Sequence, residues 1–198
     1  QVSLVLAGVT KNDIVIAPNL TFVATLNAIS YTFAQTVLID NCEDSWQIDV
    51  DLLEKWLIGN TITSFIDNRP ITTEKISGKK VGAIMPVYVL GGFVNTDKLL
   101  KISTKYGIPI IEDSTEALGS FKKGKHAGTF GLTGVLSFNG NKIISTGGGG
   151  MILTDNQDIA IRARHITTTA KSDPLEYFHD EVGYNYRLVN VLAAIGVA

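Results

Sequence analysis

The chain has 198 residues, 45% of them hydrophobic, which is enough for one domain with a sizeable core. Its formal net charge of −2 gives no electrostatic reason to expect a nucleic acid or an anionic membrane surface as a partner. A single cysteine, Cys42, excludes an intrachain disulfide, and no apolar run is long enough to span a bilayer. These features favour a globular protein of the reducing cytoplasm.

The first third of the chain alternates strand and helix patterns. Residues 14–17 form a buried strand pattern, and residues 21–33 carry apolar side chains at helical spacing. A second strand is predicted at 36–40, and Asp49 is placed to cap the helix that follows. Residues 59–80 then interrupt the alternation with a polar stretch, for which we expect a surface excursion with room for a short hairpin.

The alternation resumes after this stretch. A strand is predicted at 81–88, and a helix capped at Asn95 or Thr96 runs to Tyr106. The next strand, 108–111, follows directly. Such an order implies parallel strands joined by right-handed crossovers in a layered α/β fold, in which ligands lie at the carboxyl ends of the strands.

The centre of the chain carries the residues of a candidate cofactor site. The strand just described ends in two carboxylates, Glu112 and Asp113. A short strand at 135–138 leads to Lys142, and four consecutive glycines follow at 147–150. A strand-end carboxylate and a lysine on a glycine-flanked loop are two parts of a pyridoxal 5'-phosphate site, where the lysine forms a Schiff base and the carboxylate pairs with the pyridine nitrogen.

The end of the chain returns to regular patterns. A strand is predicted at 150–154, a helix at 158–167 and another helix pattern at 189–198, with a break at residues 173–174.

Four motifs follow one another through the central stretch. The chain reads Glu-Asp-x-x-Glu-Ala-Leu-Gly-Ser from Glu112, Gly-Thr-Phe-Gly from Gly128, Ser-Phe-x-Gly-x-Lys from Ser137 and Thr-Gly-x-Gly-Gly from Thr146. In this order they resemble the DegT/DnrJ/StrS family, whose members are fold-type I aminotransferases acting on nucleotide-linked keto sugars. The resemblance covers nearly the whole chain.

The resemblance implies a fold and a domain organisation. The expected fold is a three-layer α/β structure with a mostly parallel sheet, the large domain of an aspartate aminotransferase-like, PLP-dependent transferase. The sequence starts at Gln1 without a methionine and stops inside a helix pattern. We therefore expect residues 1–198 to be the PLP-binding large domain of a longer protein, without its upstream segment and its small C-terminal domain.

The resemblance also implies roles for five residues of the central site. Lys142 would form the Schiff base and shuttle the proton, and Asp113 would keep the pyridine nitrogen protonated. Glu116, three residues after Asp113 on a predicted helix, would lie near the ring. Phe22 would stack on the ring, and Ser137 would bind the phosphate. The alternatives are a helix cap for Asp113, a solvated Glu116, a core position for Phe22 and a strand-edge hydroxyl for Ser137.

A sixth residue would act between subunits. Asn185 lies in the polar and aromatic segment 183–187, and Tyr and Arg are enriched at interfaces. The resemblance implies that this asparagine reaches the neighbouring subunit's cofactor phosphate, which predicts a homodimer with shared active sites. A packed surface loop is the alternative.

The predicted function is amino transfer, with glutamate as the donor implied by the resemblance, to a nucleotide-linked keto-deoxy sugar. The sequences at 138–142 and 146–150 are most similar to those of the subgroup linked to legionaminic-type sugars. Two departures from the family are Tyr88, where a histidine is usual, and Gly148, where most relatives carry glutamate.

Three rival functions are weighed against this prediction. A sugar dehydratase of the same family has histidine in place of the lysine, so Lys142 argues against it, and a non-catalytic regulatory member would not need Lys142 and Asp113. The segment 119–126 nearly matches a nucleotide-binding P-loop, but His126 lacks the hydroxyl that binds magnesium. His126, His165 and His179 show no metal-ligand spacing, so no metal site is predicted.

Overall fold

The fold is described from a computed structural model of the protein, which covers residues 1–173 and 175–198. Pro174, part of the predicted break, lies outside the described residues. The helices are α1 (Val2–Leu6), α2 (Val23–Ser30), α3 (Val50–Asn60), α4 (Thr96–Tyr106), α5 (Gln157–Thr167) and α6 (Asn190–Val197), with a short 3-10 turn at Val89–Gly91.

The strands are short, and most of them lie in the first two thirds of the chain. They are β1 (Asp13–Pro18), β2 (Gln35–Ile39), β3 (Thr61–Ile66), β4 (Arg69–Glu74), β5 (Lys80–Ile84), β6 (Ile111–Asp113), β7 (Phe121–Lys122), β8 (Lys125–His126), β9 (Thr133–Ser137), β10 (Gly150–Leu153), β11 (Lys171–Asp173) and β12 (Phe178–His179).

Two sheets meet at the end of β5. The first has the strand order β2-β1-β5-β4-β3 and the second has the order β10-β9-β6. Isolated parallel bridges, Ile84 to Ile110 and Val87 to Asp113, join the end of β5 to β6. The pairs β1–β2, β1–β5 and β6–β9 are parallel, whereas β3–β4, β4–β5 and β9–β10 are antiparallel. The predicted α/β fold is confirmed, with mixed sheets.

The side chains of β1 show how the layers form. All six residues of this strand are buried, and they alternate between two separate cores. Ile14 and Ile16 belong to the core that α3 and α4 cover, whereas Val15 and Ala17 belong to the core that α1 and α2 cover. The sheet therefore has helices on both faces, the arrangement expected for a parallel sheet with helical crossovers.

The polar stretch 59–80 is more regular than the sequence indicates. Its two strands β3 and β4 pair over six residues, and β4 also meets the start of β5. The turn is formed by Asp67 and Asn68, both with positive φ (49° and 61°), which suits a tight hairpin. The short hairpin that the sequence allowed for is present, but it extends the main sheet and is not a separate surface excursion. Of the two strands, β3 is the edge strand of the sheet, where it needs no apolar pattern.

The start of α3 and the end of α4 lie where the sequence predicts them. The helix predicted at 21–33 is shorter, Val23–Ser30, the strand predicted at 81–88 ends at Ile84, and one strand is shifted. The side chain of Asp49 accepts hydrogen bonds from the amides of Asp51 and Leu52 at the start of α3, as predicted. Gly107 ends α4 in the left-handed conformation, at φ 65°. The strand predicted at 108–111 instead spans Ile111–Asp113, so both strand-end carboxylates belong to the strand itself.

Candidate active site

Asp113 is the last residue of β6, and its carboxylate is buried, with 7% of the residue exposed. Oδ2 accepts a hydrogen bond from Thr25 Oγ1 at 2.7 Å. Oδ1 accepts from Thr115 Oγ1 at 2.8 Å and from the Thr115 amide at 3.3 Å. None of the ion pairs in the described part of the chain involves Asp113. Its side-chain partners are therefore neutral donors, which leaves its charge available to a cationic ligand.

Strand register places Ser137 on the same face as Asp113. Asp113 pairs with Val135 across the parallel strands β6 and β9, so their side chains share a face. Ser137 lies two residues further along β9, on that same face and nearer the carboxyl end. Thr25 reaches Asp113 from α2, so this is the face covered by α1 and α2.

Lys142 lies in the turn that follows β9. Its amide donates to the carbonyl of Asn139, and its side chain is 17% exposed. The Lys142 Nζ is 3.9 Å from Glu116 Oε1, while Glu116 Oε2 accepts a hydrogen bond from the amide of Leu90 at 2.9 Å. Glu116 therefore links the lysine to the loop that follows β5.

The segment between Asp113 and Glu116 is not the predicted helix. Residues 114–119 form two successive turns, with a hydrogen bond from the amide of Ala117 to the carbonyl of Ser114. The hydrogen bonds from Thr115 show that Asp113 shapes the first turn, so the expected helix cap is a turn contact instead. Glu116 is half-exposed and is held by Leu90, not by helical spacing.

Backbone conformation and close packing both explain why glycines occupy positions 147–150. Gly147 and Gly149 have φ values of 85° and 100°, which strongly favour glycine. A Cβ at Gly149 would lie 2.3 Å from a methyl carbon of Leu188, and one at Gly147 or Gly148 would contact Leu192. The segment that leads into α6 therefore packs against the loop that carries Lys142.

Phe22 and Asn185 are both at the surface. Phe22 is the N-cap residue of α2 and is 72% exposed, so the expected alternative of a core position is excluded. Asn185 is exposed and pairs with Thr168 in an isolated bridge at the end of α5. No hydrogen bond of the described residues joins the Asn185 side chain to Asp113, Ser137 or Lys142 within this chain.

Glu112, the other strand-end carboxylate, was given no role from the sequence; it is fully buried on the opposite face of β6. Its Oε2 accepts from the Tyr88 hydroxyl at 2.7 Å and the Gly128 amide at 2.9 Å. Its Oε1 accepts from the amides of Phe130 and Gly131 at 2.7 and 2.5 Å. Burial, followed by the charge of Glu112, raises the pKa of Tyr88, so this phenol stays a donor. The Gly-Thr-Phe-Gly motif is thus a turn wrapped around Glu112.

We expect this network to stabilise the fold. Tyr88→Phe removes one donor and should lower the free energy of unfolding by about 1–2 kcal/mol. Glu112→Ala leaves three backbone amides, one buried and two partly buried, and the Tyr88 hydroxyl without their acceptor and should cost about 3–5 kcal/mol. Urea unfolding measures both, with Tyr31→Phe, at an exposed tyrosine, as the unchanged control. Equal stability of Glu112→Ala and the parent protein would contradict this role.

The comparisons with known proteins agree with this geometry. The family model described as the DegT/DnrJ/EryC1/StrS aminotransferase family matches residues 1–198. The chain belongs to this family.

Individual members of the DegT/DnrJ/EryC1/StrS family resemble the whole chain. It is 38% identical to a protein named putative pyridoxal phosphate-dependent aminotransferase EpsN of Bacillus subtilis (strain 168), covering 100% of this chain and 47% of EpsN. It is 36% identical to a GDP-perosamine synthase of Escherichia coli O157:H7, covering 100% of this chain and 49% of that protein. The chain thus spans about half the length of these relatives.

Solved structures of the family share the fold. A DegT DnrJ EryC1 StrS aminotransferase from Brucella abortus superposes with a TM-score of 0.86 at 26% identity, covering 98% of this chain and 49% of that one. DesV of S. venezuelae, solved in complex with a ketimine intermediate, superposes with a TM-score of 0.80 at 26% identity, covering 99% of this chain and 47% of that one. The relatives named here are not legionaminic-type enzymes, so that narrower assignment has no support from them and stays a prediction.

Two other sequence patterns have structural explanations. The segment 119–126, the near match to a P-loop, contains the small hairpin β7–β8, which lacks the strand-loop-helix order of a nucleotide-binding loop.

Although no metal-ligand spacing is apparent in the sequence, His165, Asp180 and Glu181 come within ligand distance of one another. Each already has another partner: His165 Nε2 lies at hydrogen-bond distance, 2.7 Å, from Asp180 Oδ1, and Glu181 forms an ion pair with Arg162. Among the described residues, no helix has the length and apolarity needed to cross a membrane.

Proposed function

We propose that this chain is the cofactor-binding part of a PLP-dependent aminotransferase that moves an amino group from glutamate to a nucleotide-linked keto-deoxy sugar. The observation that carries the proposal is a buried carboxylate, Asp113, whose side-chain partners are neutral hydroxyls and an amide. Ser137 shares its face, and Lys142 follows in the next turn. The names of EpsN and GDP-perosamine synthase support the cofactor and the substrate class.

The residues present fit pyridoxal phosphate. A buried carboxylate with a free acceptor position suits a protonated ring nitrogen, and the exposed Phe22 offers an aromatic face. The Ser137 hydroxyl, at the carboxyl end of β9, suits a phosphate oxygen. When bound, pyridoxal phosphate supplies a conjugated ring that takes up the electron pair released when the substrate's Cα–H bond breaks.

Asp113 and Lys142 carry the proton steps in this proposal. The Asp113 carboxylate holds a proton on the ring nitrogen, because a buried negative charge favours the charged form of its partner. The Lys142 Nζ would take the proton from the substrate Cα and deliver it to C4′ of the cofactor, acting first as a general base and then as an acid. Glu116, 3.9 Å from this amine, orients it toward the site.

A second subunit completes the proposed site. Among the described residues, the Asn185 side chain makes no hydrogen bond to the central residues of its own chain, and Asn185 itself is exposed, with its backbone paired to Thr168. We place Asn185 of the partner subunit at the cofactor phosphate, in a homodimer with two shared sites. A cytoplasmic location, expected from the single cysteine, is part of the same proposal.

A mixed dimer tests the shared site. Lys142→Ala and Asn185→Ala subunits should each be weak alone, but their hybrid should regain activity, because one site receives both intact residues. Hybrids of Lys142→Ala with Asp113→Asn are the matched control and should regain nothing, since both residues of a site come from one chain. Hybrids that form but stay inactive in the first pairing would contradict the role of Asn185.

The reaction itself is tested by the absorbance spectrum of the purified protein with PLP. A visible band should appear, glutamate should convert it to an ultraviolet band, and a keto sugar should restore it. GDP-linked and legionaminic-type nucleotide sugars should be compared as acceptors, to decide the subgroup. Loss of water from the sugar without amination would favour the dehydratase, and a spectrum that glutamate leaves unchanged would favour a non-catalytic protein.

A further inference from the structure

Thr25 is the most deeply buried side chain that contacts the Asp113 carboxylate, and the sequence analysis gives it no role. It is 2% exposed and lies in the first turn of α2, 88 positions before Asp113. Its hydroxyl touches a second hydroxyl, that of Thr21, at 2.7 Å. The three side chains form a continuous chain from the surface to the carboxylate.

The direction of the hydrogen bonds among these three side chains follows from the number of hydrogens that each side chain can donate. An ionised carboxylate only accepts, so Thr25 donates its single hydroxyl hydrogen to Oδ2 of Asp113. Thr21 must then be the donor in its contact with Thr25, in preference to its longer 3.4 Å approach to the carbonyl of Phe22. Successive bonds in one direction polarise each other and strengthen the last one.

The two oxygens of Asp113 differ in the number of hydrogen bonds that they accept. Oδ1 accepts two hydrogen bonds, both from Thr115, whereas Oδ2 accepts one. Each carboxylate oxygen has about two acceptor positions. The position that remains open to a ligand's N–H is therefore on Oδ2, beside the hydroxyl of Thr25.

We propose that Thr25 is a positioning residue that orients Oδ2 of Asp113 toward the ring nitrogen of pyridoxal phosphate. This inference rests on the proposed function. Because Phe22 lies between Thr21 and Thr25 in sequence, the same hydroxyl chain fixes the start of α2 against the end of β6.

The test compares variants by titrating the cofactor-free protein with pyridoxal phosphate and measuring its dissociation constant. Thr25→Val keeps the shape but lacks the hydroxyl, and should raise the constant about tenfold. Thr25→Ser keeps the hydroxyl and should stay within about threefold of the parent protein. Thr32→Val is the control, because Thr32 is also buried near α2 but donates to the carbonyl of Ile29, and it should leave the constant unchanged.

A double variant shows whether Thr25 acts through Asp113. In an Asp113→Asn background, adding Thr25→Val should cause no further weakening, because the oriented charge is already lost. Additive effects would overturn the inference, as would parent-like binding by Thr25→Val. If the valine variant does not fold, as judged by circular dichroism, Thr25→Ala replaces it with the same expectation. A parent protein that binds no pyridoxal phosphate would instead refute the proposed function.

Discussion

Lys142→Ala should abolish amino transfer, lowering the rate by about a thousandfold or more, because both the covalent attachment of the cofactor and the proton carrier are lost. The half-buried position of this side chain and its contact with Glu116 make Lys142 the candidate amine at the carboxyl end of β9. The measurement is the rate of sugar amination with glutamate as donor.

Lys125→Ala is the matched control for this experiment. Lys125 is exposed on β8, in the hairpin that resembles a P-loop, and its loss should leave the rate unchanged. Retention of more than about a tenth of the parent rate by Lys142→Ala would contradict the role of this amine in acid–base catalysis.

Asp113→Asn should lower the rate by roughly a hundredfold, which corresponds to about 3 kcal/mol of transition-state stabilisation. A neutral amide cannot hold the ring nitrogen protonated, so the ring becomes a weaker acceptor of electrons. The fold should survive, because the amide oxygen can still accept hydrogen bonds and the hydroxyls of Thr25 and Thr115 can rotate to accept from its nitrogen.

The control for Asp113→Asn is Asp97→Asn, which neutralises an exposed carboxylate paired with Lys123 at the surface. This change should leave both the rate and the fold unaltered. Near-parent activity in Asp113→Asn would reduce Asp113 to a residue that shapes the turn at Thr115.

The sequence predicted the parts of the fold that depend on local chemistry. The capping of α3 by Asp49 and the end of α4 at Gly107 each involve residues close in sequence. The position of Asp113 at a buried strand end followed from the apolar run before it, although the strand itself is shifted by several residues. Such features need no knowledge of distant partners.

The features that the sequence did not predict depend on long-range packing. The sequence allowed for a short hairpin within 59–80, but it did not predict that β4 pairs with β5 and that β3 becomes an edge strand of the main sheet. Glu112 is held by groups 16 to 24 positions away, and Thr25 is 88 positions from Asp113. Two adjacent acidic residues on a strand must face opposite sides, which was the one available signal that Glu112 and Asp113 have different roles.

The central claim, that Lys142 is the residue that holds the cofactor, is tested most directly by borohydride reduction. The purified protein is saturated with pyridoxal phosphate, reduced and digested, and the modified peptide is identified by mass spectrometry. We expect one adduct, on Lys142, and none in the Lys142→Ala variant. An adduct on Lys122, whose amine donates to the carbonyl of Val94, or on the exposed Lys125 would contradict the account.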